Sequence, residues 1–320
     1  MPVTALVRRL PTAGADWYNA AVQKLLIVGC GDVAWRALPR LVRRYRVFAL
    51  LRNADDCVRW RSAGAVPLAG DLDDPASLDR LAGLADQVLH LAPPPDRGSR
   101  DTRTRHLLAA LGRGKSLPQR LIYISTSGIY GDCGGALVDE TRTPRPETAR
   151  AIRRLDAERA LRAFGRVTGT AVGILRAPGI YAADRLPLER LARGTPALAA
   201  ADDVFTNHIH ADDLAAACCA ALVRARPNRA YNACDDSHWK MGEYFDRVAD
   251  AFALPRPPRL TRADAERQMS PLQLSFMRES RRLSNRRLRE ELHVALAYPT
   301  VADGIVAARK EHERKSACSS

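Results

Sequence analysis

Residues 24–51, KLLIVGCGDVAWRALPRLVRRYRVFALL, leave little freedom for how the fold begins. Lys24–Val28 is a short apolar run closed by glycine, the pattern of a strand buried on both faces of a parallel sheet. Val33, Ala37, Leu38 and Leu41 follow at helical spacing, and Arg46–Leu51 is a second apolar run. Strand, glycine turn, helix and strand within roughly 30 residues make a βαβ unit. The turn Gly29-Cys30-Gly31-Asp32-Val33-Ala34 fits G-x-G-x-x-G/A. Gly29 permits the tight turn, Gly31 lets the backbone approach a pyrophosphate, and Ala34 lets the helix pack closely on the strand. The helix N-terminus offers N–H groups and a positive dipole end to the anion. Gly29, Gly31, Asp32, Val33 and Ala34 are therefore the expected cofactor loop.

Further apolar runs recur with helical segments between them, at 65–70, 87–92, 120–125 and 171–176. Strands alternating with helices indicate a doubly wound α/β parallel sheet, a Rossmann fold. Beyond Pro178 the pattern turns irregular, and RPPRL at 256–260 reads as a stiff turn. The expected organisation is a tail over 1–22, a dinucleotide-binding domain over 23–180, and a smaller, mostly helical substrate subdomain over 181–305. That subdomain would return elements to the first domain, and a second tail would follow over 306–320. Residues 276–292, FMRESRRLSNRRLREEL, read as a helix burying Phe276, Leu283 and Leu288.

Cofactor choice is read at the end of the second strand, where an acidic side chain would hold the ribose 2′-hydroxyl of NAD. Here Arg52 follows Leu51, and no carboxylate occurs until Asp55. An arginine suits a 2′-phosphate, so NADP is favoured over NAD.

Composition narrows the alternatives. A hydrophobic fraction of 46% is too high for a disordered chain. No apolar stretch reaches the length of about 18 residues that a membrane-spanning helix needs. The first residues lack the order of a secretory signal, so a cytoplasmic protein is expected. The net charge is +14, but only five of the 50 basic residues are lysine and the arginines are scattered. No aromatic-plus-basic signature accompanies them, and nucleic acid is not an expected partner. The seven cysteines include no C-x-x-C pair, and no metal site is expected.

The ordered motifs resemble the extended short-chain dehydrogenase/reductases, specifically the NAD-dependent epimerase/dehydratase family, over about residues 23 to 305. Gly70-Asp71-Leu72-Asp73 is similar to the adenine-contacting segment, and His90-Leu91-Ala92-Pro93 to the fourth-strand end that lines the cofactor. The resemblance thus implies cofactor contacts from Asp71, Leu72, Leu91, Ala92 and Pro93. ISTSGIYGD at 124–132 resembles the motif carrying the catalytic Ser/Thr, followed by Val138-Asp139-Glu140. LRAPGIY at 175–181 and NHIHADD at 207–213 resemble two motifs near the substrate. Ser127, Asn207, His210 and, in the C-terminal segment, Arg282 are the implied substrate-binding residues. The implied substrate is a small molecule, a nucleotide sugar or another anion, and the resemblance allows a homodimer.

The family's catalysis rests on a Tyr-x-x-x-Lys pair and a nearby Ser/Thr hydroxyl. Thr126 occupies the Ser/Thr position, while Arg150 and Arg154 fall where the pair is expected. No tyrosine lies between Tyr130 and Tyr181 and no lysine between Lys115 and Lys240, so a shifted alignment restores neither. Arginine does not give up its proton in proteins. Three readings stay open. Tyr130, Tyr181, His208 or His210 supplies the proton; or Arg150 and Arg154 bind and polarise an anionic substrate; or the chain binds its cofactor without turnover, as a sensor or regulatory module.

Overall fold

The computed structural model describes residues 22–275 and 277–318. The expected N-terminal tail, Val22 apart, and Phe276 lie outside the described residues. Among the described residues seven strands form the central sheet: β1 (Lys24–Val28), β2 (Arg46–Leu51), β3 (Val66–Ala69), β4 (Gln87–His90), β5 (Arg120–Thr126), β6 (Ala171–Ala177) and β7 (Arg229–Asn232). Their order is β3-β2-β1-β4-β5-β6-β7, and every pairing is parallel. This is the doubly wound arrangement that the alternating pattern implies. The order reverses between β1 and β4, where such folds open a crevice at the carboxyl ends of the strands.

Side-chain alternation explains why β1 is apolar throughout. Leu25 and Ile27 enter a core shared with α1 (Asp32–Leu41), while Leu26 and Val28 enter the opposite core. The first core also holds α5 (Ala211–Arg224), and the second is closed by α3 (Thr102–Gly112) and α4 (Ala149–Thr168). The helix Asp56–Ser62, α2, joins β2 to β3. Cys218 is fully buried in the first core on α5. No helix among the described residues is long and apolar enough to cross a membrane.

Three short parallel pairs, built mostly from the chain beyond β6, add to the central sheet. Gly179–Tyr181 pairs with His208–His210, Ala197–Leu198 with Arg259–Leu260, and Leu137–Val138 with Arg282–Leu283. The last pair corrects the expected helix over 276–292. Arg282 N donates to Ala136 O and Ser284 N to Val138 O, so these backbone groups are spent on a strand, and only Arg286–Glu290 is helical there. Tertiary pairing overrides the local helix preference. Leu283 and Leu288 are nevertheless buried. Of the segment expected as a C-terminal tail, residues 306–318 belong to a helix, Val301–Cys318, that packs Val301, Ile305 and Ala308 against Tyr181 and Phe245.

Candidate functional site

At the β1/β4 crevice the backbone is drawn tight. Leu91 N and Ala92 N both donate to Val28 O. Gly29 has φ +93°, and a Cβ there would lie 2.2 Å from Ala92 N. Glycine is required on both counts. Gly31, two residues on, has nothing within 4 Å of the Cβ it lacks, because it faces an open groove of about 500 Å³. It is also the N-cap of α1, and no side chain among the described residues caps that helix. The groove therefore ends on helix N–H groups with room for an anion, which fits the pyrophosphate of a dinucleotide.

All the residues expected around the cofactor line this groove: Gly29, Gly31, Asp32, Val33 and Ala34 from the loop, Arg52, Asp71 and Leu72 from the next two strand ends, and Leu91, Ala92 and Pro93 after β4. Arg52 is exposed, and its charge helps hold the Asp73 carboxyl below its ordinary value, behind the larger effect of a hydrogen bond from Arg103. Asp71 Oδ1 accepts from Asp73 N in a local turn. Further residues facing the groove include Asp56, Arg103, Ile180 and Arg185. Asp32 is held by Arg36 at 2.9 Å and Arg185 at 3.2 Å, and Arg36 reaches on to Asp212 of α5.

Arg154 also lines the groove but is buried beneath it. Its Nη1 donates to Ile124 O at 2.7 Å, Tyr123 Oη at 3.0 Å and Ala92 O at 3.3 Å. It thereby ties the ends of β4 and β5. Its charge and burial together drive the neighbouring His90 down to about 3, burial being the larger cause, so His90 is neutral beside Thr104.

One helical turn before Arg154, Arg150 lines a second cavity of about 650 Å³ with Thr126, Ser127 and Asn207. The i,i+4 spacing puts both arginines on one side of α4. Burial and the Arg154 charge lower the Arg150 pKa, in that order. Thr126 ends β5 and its Oγ1 accepts from Gly128 N, leaving its hydrogen free to donate. Asn207 Nδ2 donates to Arg281 O and its Oδ1 accepts from Leu283 N, so Asn207 pins the C-terminal strand to the cavity. The groove and the cavity meet at Ile180, which lines both.

Several expectations need correction. Tyr130 does not face either space: its hydroxyl donates to Asn232 Oδ1 and accepts from Arg176, each at 2.8 Å, and burial pushes the phenol up to about 12. His210 accepts from Asp212 N as the cap of α5 and stacks on Tyr298 at 3.8 Å. Tyr181 Oη donates to Thr300 O. His208 lines a separate apolar cavity, and burial lowers it to about 4. Arg282 donates to Gly135 O and lies over the Phe205 ring, whereas its neighbour Arg281 lines the second cavity. Successive residues of an extended segment point to opposite sides, which accounts for the exchange. Among the described residues no cluster of His, Cys, Asp or Glu is arranged to hold a metal ion.

The profile of the NAD dependent epimerase/dehydratase family matches residues 30–234, and the chain belongs to that family. No curated protein matches it. Among solved structures, a conserved protein of unknown function from Silicibacter pomeroyi is 27% identical with TM-score 0.73, over 90% of this chain and 99% of that one. A UDP-glucose 4-epimerase from Thermotoga maritima, solved with UDP-glucose, is 18% identical with TM-score 0.72 over 91% and 99%. A UDP-glucuronic acid 4-epimerase from Bacillus cereus, solved with NAD, is 16% identical with TM-score 0.70, also over 91% and 99%. At such identities the two epimerases establish the fold.

Proposed function

We propose that this chain is an NAD(P)-dependent oxidoreductase or epimerase-like enzyme acting on an anionic small molecule, with a nucleotide sugar as the first candidate. The observation that carries this reading is the adjacency of the groove and the cavity at Ile180, with Arg154 lining one and Arg150 the other. When bound, a nicotinamide dinucleotide supplies reversible hydride exchange. Gly29, Gly31 and the α1 N-terminus would hold its pyrophosphate, and Leu72 and Leu91 would flank its adenosine half. In the second cavity, Arg150 binds and polarises the anionic substrate, and Thr126 donates to the oxygen at the reacting carbon. Electrostatic stabilisation of this kind needs no proton from arginine. The expected result is NADPH or NADH oxidation with a member of a carbonyl and nucleotide-sugar panel, reduced on the order of 100-fold in kcat/KM by Arg150→Ala.

A second reading has its own observation: Tyr130, Tyr181 and His210, which could exchange a proton, are engaged elsewhere, and His208 lines a different cavity. Dinucleotide binding without turnover on any panel member, with a ligand-linked change of oligomeric state or partner, would favour a cofactor-binding sensor. A cytoplasmic location and a homodimer belong to the proposal and are checked by fractionation and by sedimentation.

The NADP preference rests on Arg52 at the groove edge. Arg52→Ala should weaken NADPH roughly tenfold, the loss of about one charge-assisted hydrogen bond, and leave NADH unchanged. Equal affinities of the wild type for the two, unaltered by the substitution, would remove it. Asp56, in the same groove, is the residue that would then serve a ribose hydroxyl.

A further inference from the structure

The second cavity holds one feature that its proposed chemistry has not used. Among the described residues lining it, Glu279 is the sole carboxylate. Its side chain is nine-tenths buried, being 10% exposed. Oε2 accepts from Arg281 Nη1 at 2.7 Å, whereas Oε1 is buried with no hydrogen-bond partner. A buried carboxylate oxygen left in this condition is costly.

The surrounding contacts hold Glu279 in place. Arg281 Nη1 is shared with Gly131 O at 2.9 Å, and Asn207 Nδ2 holds Arg281 O. Ser280 N donates to Asp132 Oδ1 at 2.8 Å. Each anchor belongs to a loop that forms the cavity wall or lies beside it, so the carboxylate is oriented before any substrate arrives.

We propose that Glu279 is the proton acceptor of the second cavity, its carboxylate receiving the hydroxyl hydrogen of a substrate whose anionic part is held by Arg150. This rests on the enzyme reading above and specifies its substrate as a molecule carrying both an anion and a free hydroxyl. In the oxidative direction the carbinol C–H leaves as hydride to an oxidised nicotinamide and the O–H bond breaks toward Glu279. The products are a carbonyl, a neutral carboxylic acid and a reduced nicotinamide, and reduction returns both hydrogens. The carboxylate would thus take over the task for which the tyrosine is missing.

The test compares UDP-glucose with UDP on NADH-loaded full-length protein by calorimetric titration, for the wild type, Glu279→Gln and Glu279→Ala. UDP keeps the diphosphate but lacks the glucose hydroxyls. The expected result is that UDP-glucose weakens at least about tenfold in both variants, a lost charged hydrogen bond, while UDP and NADH bind each protein equally. Unchanged UDP-glucose affinity in the variants would overturn the role of Glu279 and leave the nucleotide-sugar reading standing. Parallel losses of UDP-glucose, UDP and NADH would mean that Glu279 is structural, and overturn the proposal. A wild type that binds NADH but neither UDP nor UDP-glucose would overturn the nucleotide-sugar reading and this form of the inference with it.

Discussion

Gly31→Asp should abolish measurable NADH and NADPH binding while the protein stays folded. The missing Cβ of Gly31 has open space around it, so the first side-chain carbon of an aspartate meets no neighbour. Its carboxylate would then occupy the end of the groove, beside Asp32 and in front of the α1 N–H groups that a pyrophosphate needs. Coulomb repulsion between unit charges about 4 Å apart near a protein surface is on the order of 4 kcal/mol, or close to 1,000-fold in affinity. Gly29→Ala serves as the contrast. There a Cβ meets the Ala92 backbone at 2.2 Å, at a φ of +93°, so adding even a single carbon should damage folding first. Nicotinamide fluorescence titration together with a thermal melt separates the two. NADH binding to Gly31→Asp at wild-type affinity would mean that the dinucleotide does not approach this loop.

That contrast also marks what could be read from the chain alone. The groove is built from contiguous chemistry: a strand, two glycines, a small residue and a helix start, each required by sterics within a few residues. The strand ends that complete it, at Asp71-Leu72 and Leu91-Ala92-Pro93, follow apolar runs and were equally legible. Asp56, Arg103 and Arg185 were not, because charged residues at helix starts and in a short helical turn carry no periodic signal and only the fold brings them to the groove. The seventh strand was missed for a similar reason. Arg229–Asn232 has just Ala230 and Tyr231 as apolar residues, and pairing with β6 makes it a strand. The second cavity was legible only in part. Thr126, Ser127, Arg150 and Asn207 lie in recognisable motifs, but Glu279 and Arg281 arrive from a distant segment. Long-range hydrogen bonds to Gly131, Asp132 and Asn207, invisible to local propensity, set their position.

Tyr130 shows the same limit from the other side, since its motif suggested chemistry and its contacts make it structural. Its hydroxyl sits in a buried polar network centred on Arg176 of β6 and Glu158 of α4, whose side chains are 5% and 2% exposed. Glu158 Oε2 accepts from Arg176 Nη2 at 2.9 Å and Oε1 accepts from Nε at 3.2 Å. Asn232 carries the network on, its Nδ2 donating to Val138 O and Ser284 O. One network thus ties α4, β6, β7 and the short strand pair beneath the second cavity. Glu158→Gln would leave the Arg176 guanidinium buried without a counter-charge, which costs about 3–5 kcal/mol. For a chain of this size that is a fall on the order of 10 °C in melting temperature. Glu158→Leu combined with Arg176→Met removes both charges, and it should recover much of the loss because a buried pair can be replaced by apolar groups of similar volume. Melts of the single and double variants decide between the possibilities. A Glu158→Gln melt within about 2 °C of wild type would show that water or another acceptor already compensates Arg176. A double variant as unstable as the single would locate the stabilisation in the hydrogen bonds that Arg176 makes to Tyr130 and Glu140 O, not in its charge.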